Sequence, residues 1–148
     1  MQKVYKLSII YYLLFSLLLI LSAYMLFENK IGFSVQNVLD YYIGNEERFI
    51  PAKGAGGILK LVLPHIFVFG LFTMVLLHFL VFTNLRYKKI TLALIYATFI
   101  IAFLEIATPF MIIGGFKFFV YIKLFSFFAL LALILYLSWL LFHSIAYE

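Results

Sequence analysis

The chain has 148 residues, of which 67% are hydrophobic and 11% charged, with a formal net charge of +5. Soluble domains average about 45–50% apolar residues, so this composition excludes a soluble globular protein and leaves length for one membrane domain, residues 1–148, with no separate soluble one. The positive residues flank apolar runs instead of forming a patch, which argues against nucleic acid, and the absence of cysteine excludes disulfide exchange, thiolate metal centres and cysteine nucleophiles.

Four apolar runs cover residues 5–27, 58–82, 90–113 and 118–145. Each reaches the roughly 20 residues that a helix needs to cross about 30 Å of hydrocarbon. The first follows Met-Gln-Lys-Val-Tyr-Lys. It outruns the apolar region of a signal peptide, about 7–15 residues, and no small-x-small cleavage site follows, so it is expected to stay as the first span.

Residues 28–57 form the long first loop. Ser34 is placed to cap a short helix in which Val35, Val38, Leu39 and Tyr42 share one face, and Gly44 ends it. Such a helix lies in the membrane interface or across the mouth of the bundle. Glu46 and Glu47 follow, and then the hinge Pro51-Ala-Lys-Gly-Ala-Gly-Gly57 leads into the second span. This glycine-rich stretch is no phosphate loop, because no strand precedes it and no Gly-Lys-Ser/Thr closes it.

Arg86-Tyr87-Lys88-Lys89 and Gly114-Gly115 are the two remaining connections. Connections this short predict an all-α, antiparallel four-transmembrane-helix bundle with a short interfacial helix in its first external loop. Lys3, Lys6, Arg86, Lys88 and Lys89 crowd the side of the termini. Lys30, Arg48, Lys53, Lys60 and Lys117 are equal in number on the other side but spread over a longer loop. The positive-inside rule weighs tight flanks most, which puts both termini in the cytoplasm.

Ionisable groups within the runs carry the functional question, because burying them in lipid is costly. They are His65 and His78 in the second span, Glu105 in the third, and Lys123 and His143 in the fourth. At about 1.5 Å of rise per residue, His65, Glu105 and Lys123 lie roughly 7–12 Å inside the same face and share one layer. One reading of that layer is structural: Glu105 and Lys123 pair, and His65 adds a hydrogen bond. The other is a proton-handling or ligand site, with Glu105 and His65 exchanging protons or meeting a quinone head group. Pro109, one turn after Glu105, frees a backbone carbonyl on that face.

The histidines also raise b-type haem, with His65, His78 and His143 as candidate ligands. His65 and His78 stand thirteen residues apart, which turns their rings about 140° from one another on the helix. For His78 only His143 is available, and it sits roughly one to two turns too shallow unless the fourth helix is shifted. For His65 the partner in reach is Met25, Met111 or the His65 of a second copy. A zinc or iron site built from His65 and Glu105 lacks ligands. Asp40 is the sole aspartate and lies in the loop, so a Ser-His-Asp arrangement has no support and no catalytic residue is assigned. Gly70 and Thr73 are small enough to allow a close helix approach.

Asp40-Tyr-Tyr-Ile-Gly-Asn-Glu-Glu, Pro64-His-Ile-Phe and Leu77-His-Phe-Leu, followed by Glu105 and Pro109, carry a resemblance across roughly residues 38–140. In these features the chain resembles a group of small uncharacterised four-helix bacterial inner-membrane proteins with a histidine-containing second helix. That pattern has His-x-His-x-Phe and then a further histidine. Leu63 replaces the first here, while His65 and His78 keep the later positions. The resemblance implies the fold and the bacterial inner membrane, and no activity.

The sequence thus points to an accessory or interaction subunit of a membrane complex, in contact with lipid and with other subunits or a second copy, and without catalysis of its own. Two alternatives stand beside it. One is a haem b or quinone-linked electron-transfer subunit; the other is a proton- or small-molecule-handling membrane protein. A transporter or channel has no broken-helix pair or inverted repeat to support it.

Overall fold

A computed structural model describes residues 3–81, 83 and 89–147. The expected tight connection at Arg86–Lys89 falls mostly outside these residues. Five helices follow in order: α1 (Lys3–Lys30), α2 (Val35–Ile43), α3 (Ala55–Val81), α4 (Lys89–Ile113) and α5 (Phe119–Tyr147). Among the described residues there is no strand, only one isolated bridge between Asn45 and Ile50. Four helices, α1, α3, α4 and α5, are long and apolar enough to cross a membrane. The protein is an all-helical, multi-pass membrane bundle with a short additional helix, α2, across one end.

The chain alternates direction, so α1 begins where α5 ends, and the Lys6 ammonium donates to the Ile145 carbonyl at 3.2 Å. The most extensive packing joins α4 to α5. Along α5, the buried residues Val120, Lys123, Phe127, Leu130, Ile134, Leu137 and Leu141 alternate in steps of three and four. Thr98, Ala102, Glu105, Pro109 and Ile112 repeat the same steps on α4. That spacing keeps one stripe of each helix facing the other. Lipid tails are as apolar as leucine, so close packing and polar contacts hold these helices together in place of the hydrophobic effect. The threonine and alanine on α4 let the backbones approach.

The turn between α4 and α5 explains the tightness of that hairpin. Gly115 sits at φ 95°, its N–H donates to the Ile112 carbonyl, and the Phe116 N–H donates to the Met111 carbonyl. This paired arrangement closes the helix end, and a residue without Cβ suits its left-handed position.

At the same end, α2 packs on α4 and α5. Ser34 caps it, accepting from the Asn37 N–H at 3.0 Å, and Gly44 ends it, donating to the Asp40 carbonyl at 3.0 Å. Val38 and Tyr42 enter a core with Phe27, Ile58, Ile112, Val120 and Phe127. The close helix approach expected at Gly70 is not there. Gly70 is exposed and an added Cβ would meet nothing within 4 Å, because that face of α3 points outward.

The loop after α2 is organised by Asp40. Its carboxylate accepts from Gln36 at 2.7 Å, Asn45 at 3.0 Å and Arg48 at 3.1 Å. The Asn45 side chain in turn accepts the backbone N–H groups of Glu47 and Arg48. Phe49 is held at φ 54° in this tight turn. The Asn45 hydrogen bond, with Gln36 and the Arg48 guanidinium, lowers the Asp40 carboxyl below its usual value against an opposing effect of burial. A carboxyl lowered on folding stabilises the loop above the ordinary aspartate range near 4 and loses that contribution as pH falls through its own lower value. Protease accessibility of residues 45–53 is therefore expected to rise on acidification through that window. Asp40→Asn should give a loop that is already accessible at neutral pH and insensitive to acid. An unchanged acid profile in Asp40→Asn would overturn the assignment.

Candidate functional site

Glu105 and Lys123 are each nine residues from Gly114 (114 − 105 and 123 − 114), so the α4–α5 hairpin brings them to the same depth. Both fall on the facing stripes, and both are 7% exposed. The Lys123 ammonium pairs with Glu105 Oε1. It also donates to the Glu105 backbone carbonyl at 3.1 Å. That carbonyl is available because residue 109, four positions on, is proline and has no N–H to offer. The second carboxylate oxygen, Oε2, accepts from Ser126 Oγ at 2.5 Å. One proline, one serine and one lysine thus satisfy a carboxylate and a freed carbonyl deep within the span, as buried charge requires.

This cluster lies on the wall of a cavity of about 370 Å³. The cavity forms where α1 and α3 separate. Nearer the terminal end these helices are tied: the Tyr12 hydroxyl donates to the Phe72 carbonyl at 2.6 Å, and the Tyr12 ring stacks on Phe72 and meets Phe79 edge-on. Toward α2, no such tie joins them among the described residues, and Ala23 of α1 and Phe69 of α3 both line the space. Pro64 and Pro109 both line it, each at a point where its helix lacks one ladder bond. Ser22, Leu26 and Val68 line the cavity and are also exposed, so it opens sideways through the span. Most of its surface is apolar.

The end toward α2 is closed by Phe27, Ile31, Tyr41 and Tyr42, with Lys30 beside them. Burial first, and then the nearby Glu105 carboxylate, push the Tyr42 phenol far above its ordinary range. Tyr42 therefore stays protonated, with a hydroxyl able to donate. The Lys53 ammonium sits 3.4 Å above the Tyr41 ring and donates to the Tyr41 carbonyl at 2.8 Å, which clamps the loop over this closure. Burial pulls the Lys53 ammonium below its usual value.

His65 lines the same cavity, so the layer of His65, Glu105 and Lys123 shares one space. Its hydrogen bond does not go to the ion pair, as the sequence suggested. Nδ1–H donates to the Leu61 carbonyl of its own helix at 2.6 Å, and the ring tilts against Phe69. A histidine reaches a carbonyl four residues back easily, and this bond leaves Nε2 as the acceptor of the neutral ring. His78 and His143, exposed as His65 is, lie outside the cavity lining. His78 is about 20 Å along α3 from His65, and His143 packs its ring on Trp139. Among the described residues, no three His, Asp or Glu groups gather as metal ligands would.

Sequence reasoning missed Ser126, and it read Tyr42 as part of a packing face and not as a hydroxyl at the cavity's end. Ser126 could have been found, since it stands three residues after Lys123 on the same stripe. Neither the curated proteins nor the solved structures include a significant match to this chain. Residues 32–148, which hold α2 through α5 with the cavity's ion pair and His65, match the Aq_1264_TM family, described as a transmembrane helical domain, and the chain belongs to that family.

Proposed function

We propose that this protein is a small-molecule-handling membrane protein that takes an apolar, chain-bearing molecule from the bilayer into the cavity between α1 and α3. The observation that carries this reading is the cavity itself. It is apolar over most of its lining, open sideways within the span, and bordered by a buried ion pair and a histidine. Ligand sites take this form, with mostly apolar walls and few polar groups. A subunit acting only through outer contacts needs no such space, so the cavity favours ligand handling over the accessory role that the sequence first suggested. The quinone-linked alternative shares this chemistry and becomes one member of the ligand class. The concentration of Lys3, Lys6, Arg86, Lys88 and Lys89 in short sequence flanks of the spans supports an inner-membrane orientation with both termini cytoplasmic.

The test is occlusion. Ala23→Trp and Val68→Trp place bulk in the cavity from α1 and from α3, at positions outside the ion-pair cluster. Native mass spectrometry of protein released from nanodiscs is expected to find a bound amphiphile on the wild type. Each tryptophan variant should reduce occupancy by about tenfold, roughly 1.4 kcal/mol, while keeping the helical circular dichroism. Equal occupancy in the wild type and both variants would sink the proposal.

A further inference from the structure

We infer that the cavity selects an amphiphile with an uncharged, hydrogen-bonding head, a hydroxyl or carbonyl group held against Lys123 and His65, with its single apolar chain leaving between α1 and α3. This rests on the ligand-handling reading above and adds the class of head group.

The argument starts from charge. Glu105 and Lys123 neutralise one another, so the inner wall carries no net charge to balance an ionised head. A carboxylate or phosphate brought there would stand unpaired in a low-dielectric setting, which is strongly unfavourable. A bare hydrocarbon tail fits the wall poorly too, because it would cover polar atoms and offer them nothing. Lys123 has three N–H donors, and two are used, on Glu105 Oε1 and on the Glu105 carbonyl. The third remains for a ligand acceptor. His65 has committed Nδ1–H to Leu61, which leaves Nε2 to accept from a ligand donor. One donor and one acceptor on a neutral wall match a head that both accepts and donates. A monoacylglycerol supplies that chemistry, and so does a quinol, whose hydroxyls both donate and accept; a quinone offers acceptors alone.

Lys30 provides the competing arrangement. It lines the cavity at the end of α1, where α2 closes it, and is itself exposed. An anionic amphiphile would place its head there, in water, and its tail inward. The two arrangements predict opposite head-group rankings.

The experiment compares three probes of matched alkyl chain length: a monoacylglycerol, an alkyl hydroquinone kept reduced and a fatty acid. Each is titrated into wild type, Glu105→Gln and Lys30→Gln in nanodiscs above neutral pH, with bound probe counted by native mass spectrometry. The neutral probes are expected to bind the wild type about tenfold or more tightly than the fatty acid, the penalty of an unpaired buried charge. Glu105→Gln leaves Lys123 uncompensated, so the ranking should reverse in favour of the fatty acid. Lys30→Gln should change neither order.

The relative affinity of the glycerol and the quinol probes identifies which neutral head is preferred. A fatty acid that binds the wild type as well as the neutral probes do, and loses affinity in Lys30→Gln, would overturn the neutral head. If Glu105→Gln does not fold, the wild-type ranking together with Lys30→Gln still decides. If no probe binds better to the wild type than to Ala23→Trp, the cavity reading fails, and the head-group inference with it.

Discussion

Lys123→Met is expected to destabilise the bundle by about 3–5 kcal/mol, the usual cost of leaving one member of a buried pair without its partner. Methionine keeps most of the apolar stem and its packing, so the loss isolates the ammonium. Removing it strands Glu105 Oε1, and leaves the Glu105 carbonyl, which Pro109 deprives of a helix partner, with the long 3.4 Å bond from the Thr108 hydroxyl. Glu105→Gln should cost less. The amide oxygen still accepts from the ammonium and Ser126 still has a neighbour. The double variant, Glu105→Gln with Lys123→Met, should recover much of the loss, because two neutral side chains of similar volume replace a pair whose desolvation was costly. Unfolding in mixed micelles, read by circular dichroism, measures all four corners of the cycle. The coupling energy is expected to fall in the upper part of the roughly 0.5–3 kcal/mol range for contacting residues. A Lys123→Met protein within about 1 kcal/mol of wild type, the level of a surface pair, would show that the contact does not hold the hairpin together.

That cycle tests a contact that could be read from the sequence before any coordinates. Apolar length marks the spans, and a two-glycine turn fixes the register of α4 against α5, so equal offsets from Gly114 place Glu105 opposite Lys123. The cap at Ser34 and the stop at Gly44 were legible for the same reason: local chemistry decides them. The cavity was not. It depends on which pair of neighbouring helices separates, and α1 and α3 are apolar on every side, so no periodicity distinguishes a packed face from an open one. His65 shows the same limit at a single residue. Depth put it in the right layer, but its choice of the Leu61 carbonyl over the ion pair depends on the width of the gap between helices. Gly70 reads as a packing residue by composition and faces outward for the same reason. In a soluble bundle the polar face would have disclosed these orientations; in lipid the outward face is written in the same residues as the core.

Gly44→Ala is expected to cost about 2–3 kcal/mol in local stability and to open the α2 end of the cavity, while Gly54→Ala stays close to wild type. Gly44 sits at φ 87°, ψ 167°, a region reserved for glycine in which another residue costs about 1–3 kcal/mol. Space adds to the strain. A Cβ there would lie 2.5 Å from the Ala52 nitrogen and 2.9 Å from the Ile50 carbonyl oxygen, both backbone atoms that cannot rotate away. The 45–53 loop must move instead. Its movement breaks the Lys53 N–H bond to the Tyr42 carbonyl and lifts the Lys53 ammonium from Tyr41, the two tyrosines that close the cavity. Gly54 has nothing within 4 Å of an added Cβ and no unusual φ, so it controls for the extra methyl group. Hydrogen exchange should show faster exchange in residues 35–53 of Gly44→Ala, with α4 and α5 unchanged, while the dissociation rate of a bound amphiphile, which leaves sideways between α1 and α3, stays close to wild type. Equal exchange in the two variants would mean that the loop is not clamped over the cavity. A dissociation rate that rises together with the exchange would mean that the ligand leaves past the tyrosines at the α2 end and not between α1 and α3.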